Sequence, residues 1–178
     1  MQQEVRHNRH VRHAAKADYT AILGIYAHAR AVMKRNGNPS QWGDVYPLDA
    51  DVLHDIELHR SMLLVDQSPH DGSERILGVF AACQGPDSTY AHIDGAWLND
   101  DDYVAMHRVA SSGLARKTGK DMLDWAVHQY RNVRADTHEK NAAMQHILTS
   151  AGFTRCGIIT LPPREVGGRE RIAYQRHI

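Results

Sequence analysis

The spacing of apolar residues changes several times along the chain, and each change marks an element. Ile22, Ile25, Tyr26, Ala29, Val32 and Met33 recur at helical spacing, predicting a helix with one apolar face from near Asp18, a good N-cap, to Asn36-Gly37. Val11 to His13 reads as a strand leading into it. Asn36 to Pro47 (NGNPSQWGDVYP) is dense in turn residues, a loop that holds Trp42 and Tyr46. A second helix follows from about Ala50 to His59, with Val52, Leu53 and Ile56 as its short apolar stripe. Met62 to Val65 and Ile76 to Cys83 are strand-length apolar runs on either side of a polar turn with Pro69 and Asp71-Gly72, so they should pair antiparallel. Extended segments come next around Tyr90 to Asp94 and from Tyr103 to about Ala110, separated by the acidic turn Asn99 to Asp102.

From Gly119 the period turns helical again, with Met122, Leu123, Ala126, Val127 and Tyr130 on one stripe. Val133 to Thr137 is strand-like, and Asn141 to Ser150 is a helix with Met144, Ile147 and Leu148 inward, ended by Gly152. Strands near Phe153 to Thr160 and Ile172 to Gln175 close the chain around a Pro-Pro and Gly-Gly turn. The order β, α, α, several strands, then α, β, α, β, β predicts the α+β class: a mixed sheet with helices on its faces.

Size and composition narrow the function classes. With 178 residues, the chain should form one domain over 1–178, of which 1–8 is a polar N-terminal extension. Its 21 Lys+Arg balance 21 Asp+Glu, so the uniform positive field that nucleic acid requires is missing. A mean hydropathy of −0.52, an N-terminus without an apolar signal stretch and no apolar run near the roughly 20 residues of a bilayer span lead to an expectation of a cytoplasmic protein. Cys83 and Cys156 stand far apart with no CxxC spacing, giving neither a disulfide framework nor a zinc site. His7, His10 and His13 recur at intervals of three among Arg6, Arg9 and Arg12. A strand cannot keep three ligands of that period on one face, so the segment reads as a solvated basic arm and no metal is expected.

The chemistry gathers in Tyr103 to Trp125 (YVAMHRVASSGLARKTGKDMLDW), where a strand passes through a small basic loop straight into a helix. Such a junction presents backbone amides and a helix N-terminus to a phosphate, with Arg116, Lys117 and Lys120 adding cations. Eleven residues after Asn141 comes Gly152-Phe153, in the stretch NAAMQHILTSAGF. These two segments in this order resemble the GNAT superfamily of N-acetyltransferases. In that family a strand leads into a Q/R-x-x-G-x-G/A loop and helix, then a strand and an N-x-x-A-x-x-L-Y-x-K-x-G-F helix. The resemblance runs from Val11 to the last strand, RIAYQR. It implies a mixed, mostly antiparallel twisted sheet of six to seven strands flanked by about four helices.

Gly119 fits the loop motif as its final glycine, because Met122 and Leu123 then arrive where an amphipathic helix needs them. That register puts Leu114 at the Q/R place and Lys117 at the first glycine. The resemblance implies acetyl-CoA as co-substrate, its pyrophosphate on the amides of Ala115, Arg116, Lys117, Thr118, Gly119 and Lys120. Val109, ten residues before Gly119, falls where the family's catalytic strand pairs with the pantetheine arm, its amide donating to the thioester carbonyl. Asn141 matches the family's Asn, which contacts that arm.

The implied reaction is N-acetylation of a primary amine, on a small molecule or a protein, by direct attack in a ternary complex. An alkyl ammonium has a pKa near that of lysine, about 10.4, so a base must take a proton first. Asp94 and Glu139, with His92 and His107 next, are the candidates, and Trp42, Tyr46 and Trp97 are candidates for the acceptor wall. Counting from Asn141 places Leu148 where the family has the Tyr that protonates the leaving thiolate, leaving His107, His138, Tyr103, Ser111 or water for that task. The alternative is a non-catalytic acyl-CoA-binding or sensor module that keeps the fold. Homodimers are common in the family.

Overall fold

The structure, a computed structural model, describes residues 8–163 and 168–178. Of the N-terminal extension expected over 1–8, positions 1–7, with His7, lie outside them, as does Gly167 of the final turn, and Asn8 belongs to the first strand. The elements are β1 (Asn8–His13), α1 (Tyr19–Arg35), α2 (Asp49–Glu57), β2 (Ser61–Gln67), β3 (Glu74–Gln84), β4 (Asp94–Gly95), β5 (Val104–Ser111), α3 (Thr118–Tyr130), β6 (Asn132–Thr137), α4 (Ala142–Ser150), β7 (Thr154–Thr160) and β8 (Glu170–His177). They form an eight-stranded sheet in the order β1-β2-β3-β5-β6-β8-β7-β4. Every pairing is antiparallel except β5 with β6. The strand beyond six or seven is the two-residue β4, which pairs with β7 at the sheet edge.

Alternation along the central strands sorts the core to the two faces of the sheet. From β2, Met62 and Leu64 join Leu77, Met122, Leu123, Val127 and Leu148 in one cluster under α3 and α4. Leu63 and Val65 point the other way, to Val79, Ile22, Ile25, Tyr26 and Ile56 under α1 and α2. A third cluster holds Tyr90, Tyr103, Ile159 and Ala173. No helix among the described residues is long and apolar enough to cross a membrane.

Two local expectations change. Asp18 does not cap α1 with its side chain; its carboxylate accepts from the Ala15 amide at 2.8 Å and from the Arg12 guanidinium at 2.8 and 3.0 Å, closing a short 3-10 turn over Lys16–Asp18. Nor does Tyr90 start a strand. Asp87 accepts from the Thr89 amide and caps a 3-10 turn over Ser88–Tyr90, which buries Tyr90 and leaves only Asp94–Gly95 extended.

Candidate active site

The parallel pair β5 and β6 is joined only over Val104–Met106 and Val133–Ala135. Beyond those residues the strands part, and a cavity of about 870 Å³ opens between them. Met106 to Ser111 line one wall, Asp136 and Thr137 the other, and α1, the α1–α2 loop and the start of α4 surround the rest.

β5 carries an irregularity at this place. Val79 faces Ala110 and Ala81 faces His107, so Phe80 stands opposite two residues, Arg108 and Val109. Such a bulge takes one residue out of the ladder and re-aims its neighbours. Arg108 adopts φ +54°, the left-handed region that glycine usually fills at such bulges and that costs another residue about 1–2 kcal/mol. All three nitrogens of its guanidinium are bonded: Nε and one terminal nitrogen donate to the two Asp55 oxygens at 2.8 and 2.9 Å, and the other donates to the Tyr46 hydroxyl at 3.2 Å. Asp55 is 5% exposed, so this bidentate pair joins α2 to β5 in the interior. Burial lowers the Arg108 pKa, but Tyr46 and Asp55 outweigh it and hold the guanidinium charged well above its ordinary range.

His107 stands between two carboxylates on the cavity wall. Its Nε2 is 2.7 Å from Asp87 Oδ2 and its Nδ1 is 3.9 Å from Asp136 Oδ1. Burial raises the Asp87 carboxyl, yet hydrogen bonds from His107 and from the Thr89 hydroxyl and amide prevail and draw it well below the usual carboxylate range. An ionised Asp87 requires the proton of a neutral His107 on Nε2, which leaves Nδ1 with its lone pair. At 3.9 Å Asp136 is beyond hydrogen-bond distance of Nδ1, and it takes a bond from the Tyr90 hydroxyl at 2.7 Å instead. An imidazole so held can accept a proton, and the resulting cation would lie beside two carboxylates.

Of the residues singled out from the sequence, His107, Val109, Ser111, Asn141, Trp42 and Tyr46 line this cavity. Asp94 is exposed on β4 and Glu139 lines a separate cavity of about 300 Å³ with His138 and Arg171. His92 is exposed. Trp97 packs elsewhere, its ring 5.1 Å from that of Tyr90, its indole N–H on the Tyr90 carbonyl and the Arg134 guanidinium 4.1 Å from its centroid. Leu148 is fully buried in the core under α3 and α4. Asn141 caps α4, accepting from the Met144 amide at 3.1 Å, while its amide nitrogen donates to Gln41 across the cavity mouth at 2.9 Å.

Ala115 to Lys120 lie past Gly113, outside the cavity lining, where the loop turns into α3. Lys117 takes φ +64° at the N-cap and makes no capping bond with its own side chain, and the first amides of the helix carry the positive end of its dipole. Arg116 and Lys117 are exposed, whereas Lys120 is drawn back along α3 into an ion pair with Asp124. Gly78 lets this end of α3 sit on β3: a Cβ there would meet Thr118 Cγ2 and Met122 Sδ at 2.8 Å and the Ala110 carbonyl at 2.9 Å.

Sequence reasoning missed Asp87, Asp136, Arg108 and Asp55. For Asp136 a signal exists, a carboxylate inside the otherwise apolar strand pattern VRADT. Asp87 follows the Gly85-Pro86 turn, and nothing in its sequence neighbourhood announces a histidine partner twenty residues away. Among the described residues no three His, Cys, Asp or Glu side chains converge as metal ligands.

The sequence matches no family model and no curated protein. Solved structures do resemble it. An acetyltransferase of the GNAT family from Streptococcus agalactiae is 29% identical with a TM-score of 0.81, covering 96% of this chain and 95% of that one. A GNAT-family acetyltransferase from Listeria monocytogenes is 20% identical with a TM-score of 0.66 over the same shares. A phosphinothricin acetyltransferase from Sinorhizobium meliloti, solved in complex with acetyl-CoA, shares the fold at 15% identity and a TM-score of 0.61, covering 96% of this chain and 88% of that one.

Proposed function

We infer that this chain, a member of the GNAT superfamily by the fold it shares with these acetyltransferases, transfers the acetyl group of acetyl-CoA to a primary amine held in the cavity between β5 and β6. The observation that carries this reading is the His107 imidazole, set between Asp87 and Asp136 on the wall of that cavity. In this reading Nδ1 takes a proton from the bound ammonium, and the imidazolium is stabilised by the two carboxylates. The neutral amine attacks the thioester carbonyl carbon, so a C–N bond forms and the carbonyl oxygen gains negative charge. The Val109 amide, beside the bulge of β5, is the donor assigned to that oxygen. The C–S bond then breaks, the thiolate takes the proton held by His107, and the second amine proton goes to water. Leu148 carries no proton to give, and in this reading His107, which has taken one from the amine, serves as both base and acid.

On the cofactor side the loop into α3 supports a pyrophosphate through the first amides of the helix and the charges of Arg116 and Lys117. Trp42 and Tyr46 supply an aromatic wall for the acceptor. The test is release of CoA thiol with a panel of primary amines. Replacing His107 by Gln should lower the rate by about 10²- to 10⁴-fold while acetyl-CoA affinity stays within a factor of about two. An equal rate in the variant removes His107 from the reaction. Acetyl-CoA binding without transfer to any amine would favour the non-catalytic acyl-CoA-binding reading.

A further inference from the structure

Arg108 stands where a β-bulge ordinarily takes glycine, at φ +54° opposite Phe80, and residues in that conformation persist only where their surroundings hold them. The structure offers one holder of the required strength. Asp55, buried on α2, receives two hydrogen bonds of 2.8 and 2.9 Å from the guanidinium, and a planar fork bonded at both prongs fixes the direction of the side chain as well as its end. The Tyr46 hydroxyl receives the third bond at 3.2 Å, so the same guanidinium ties the bulge to the aromatic wall of the cavity.

We propose that Asp55 is a positioning residue: through Arg108 it holds β5 in the bulged conformation that turns the Val109 amide toward the cavity. The consequence for catalysis rests on the reading of Val109 as donor to the thioester; the consequence for the backbone does not. If the pair is replaced by apolar side chains, as in Asp55→Leu/Arg108→Met, the core is kept dry and packed, but a methionine has no reason to remain at positive φ, and the bulge, held in place by the register on either side, relaxes to a right-handed first residue that re-aims the Val109 amide. If the second residue is glycine instead, as in Asp55→Leu/Arg108→Gly, the bulge survives without its clamp, because glycine takes that conformation at no steric cost.

The test has two arms. In the first, amide NMR of the unliganded protein should show the Val109 resonance and its neighbours displaced in the methionine double variant and near their wild-type positions in the glycine double variant. A Val109 resonance unmoved in the methionine variant would overturn the proposal, as would equal displacement in both. In the second, affinities for acetyl-CoA and free CoA are compared, since only the former carries the carbonyl. The methionine variant should lose about tenfold of its preference for acetyl-CoA at unchanged CoA affinity, and the glycine variant should keep it. Failure of the wild-type protein to bind acetyl-CoA would sink the proposed function and leave the clamp to be judged by the first arm.

Discussion

His107 has two ring nitrogens with different neighbours, and that difference, more than the presence of a histidine, gives the residue a role. Asp87 holds Nε2 at 2.7 Å, and Nδ1 lies 3.9 Å from Asp136, beyond hydrogen-bond distance. The same contact links the site to stability. With its folded-state pKa depressed, Asp87 stabilises the protein above the ordinary value of 3.8, and this contribution is lost as the pH falls toward the folded-state value. The urea midpoint of wild type should therefore exceed that of Asp87→Asn at neutral pH, and the gap should narrow steadily as the pH falls below 3.8 toward the folded-state value; a gap independent of pH would argue against an ionised Asp87. Asp55 makes a second residue-scale prediction. Asp55→Asn leaves the Arg108 charge buried without its counter-ion and should cost about 3–5 kcal/mol in denaturant unfolding, whereas Asp55→Leu/Arg108→Met should regain most of that loss. A single variant as stable as wild type would contradict the burial of the pair.

Helices and long strands were legible because their signals are local and repeated. Ile22, Ile25, Tyr26 and Ala29 mark the buried face of α1 by spacing alone, and the alternating Met62 to Val65 served both faces of the sheet. The shortest elements were not legible: Asp87 takes the chain through a 3-10 turn where a strand was expected, and its capping bond depends on one Asx geometry. The site divides in the same way. Val109 and Asn141 were singled out by the family resemblance, counted from Gly119 and Gly152, and both line the cavity, whereas the partners of His107 and Arg108 come from separate elements that only the folded sheet brings together. At this scale Gly78 is decisive, because it sets how closely the start of α3 approaches β3 and β5. Gly78→Ala puts a methyl group within 2.9 Å of the Ala110 carbonyl, so it should destabilise the protein by about 1–3 kcal/mol and weaken acetyl-CoA binding as the helix N-terminus shifts. Unchanged thermal melting and affinity would show that the helix has more room than this packing allows.

For the whole molecule, the parting of β5 from β6 turns a continuous sheet into a binding site. The ladder stops after Met106 and Ala135, while the cluster under α3 and α4 runs on across both sides of the parting, from Met62 and Leu77 to Val133 and Tyr174, so the cleft opens without dividing the core. A ligand bound there bridges both sides and stabilises the native state by mass action, about 2.7 kcal/mol at a hundredfold excess over its Kd. The most direct measurement is calorimetric titration of the protein with acetyl-CoA and with free CoA. The account predicts one site per chain with micromolar affinity for acetyl-CoA, weakened when Arg116 and Lys117 are replaced by neutral residues. Heat traces without binding of either compound would contradict it, because the first amides of α3 and the cleft beside Val109 would then serve some other ligand.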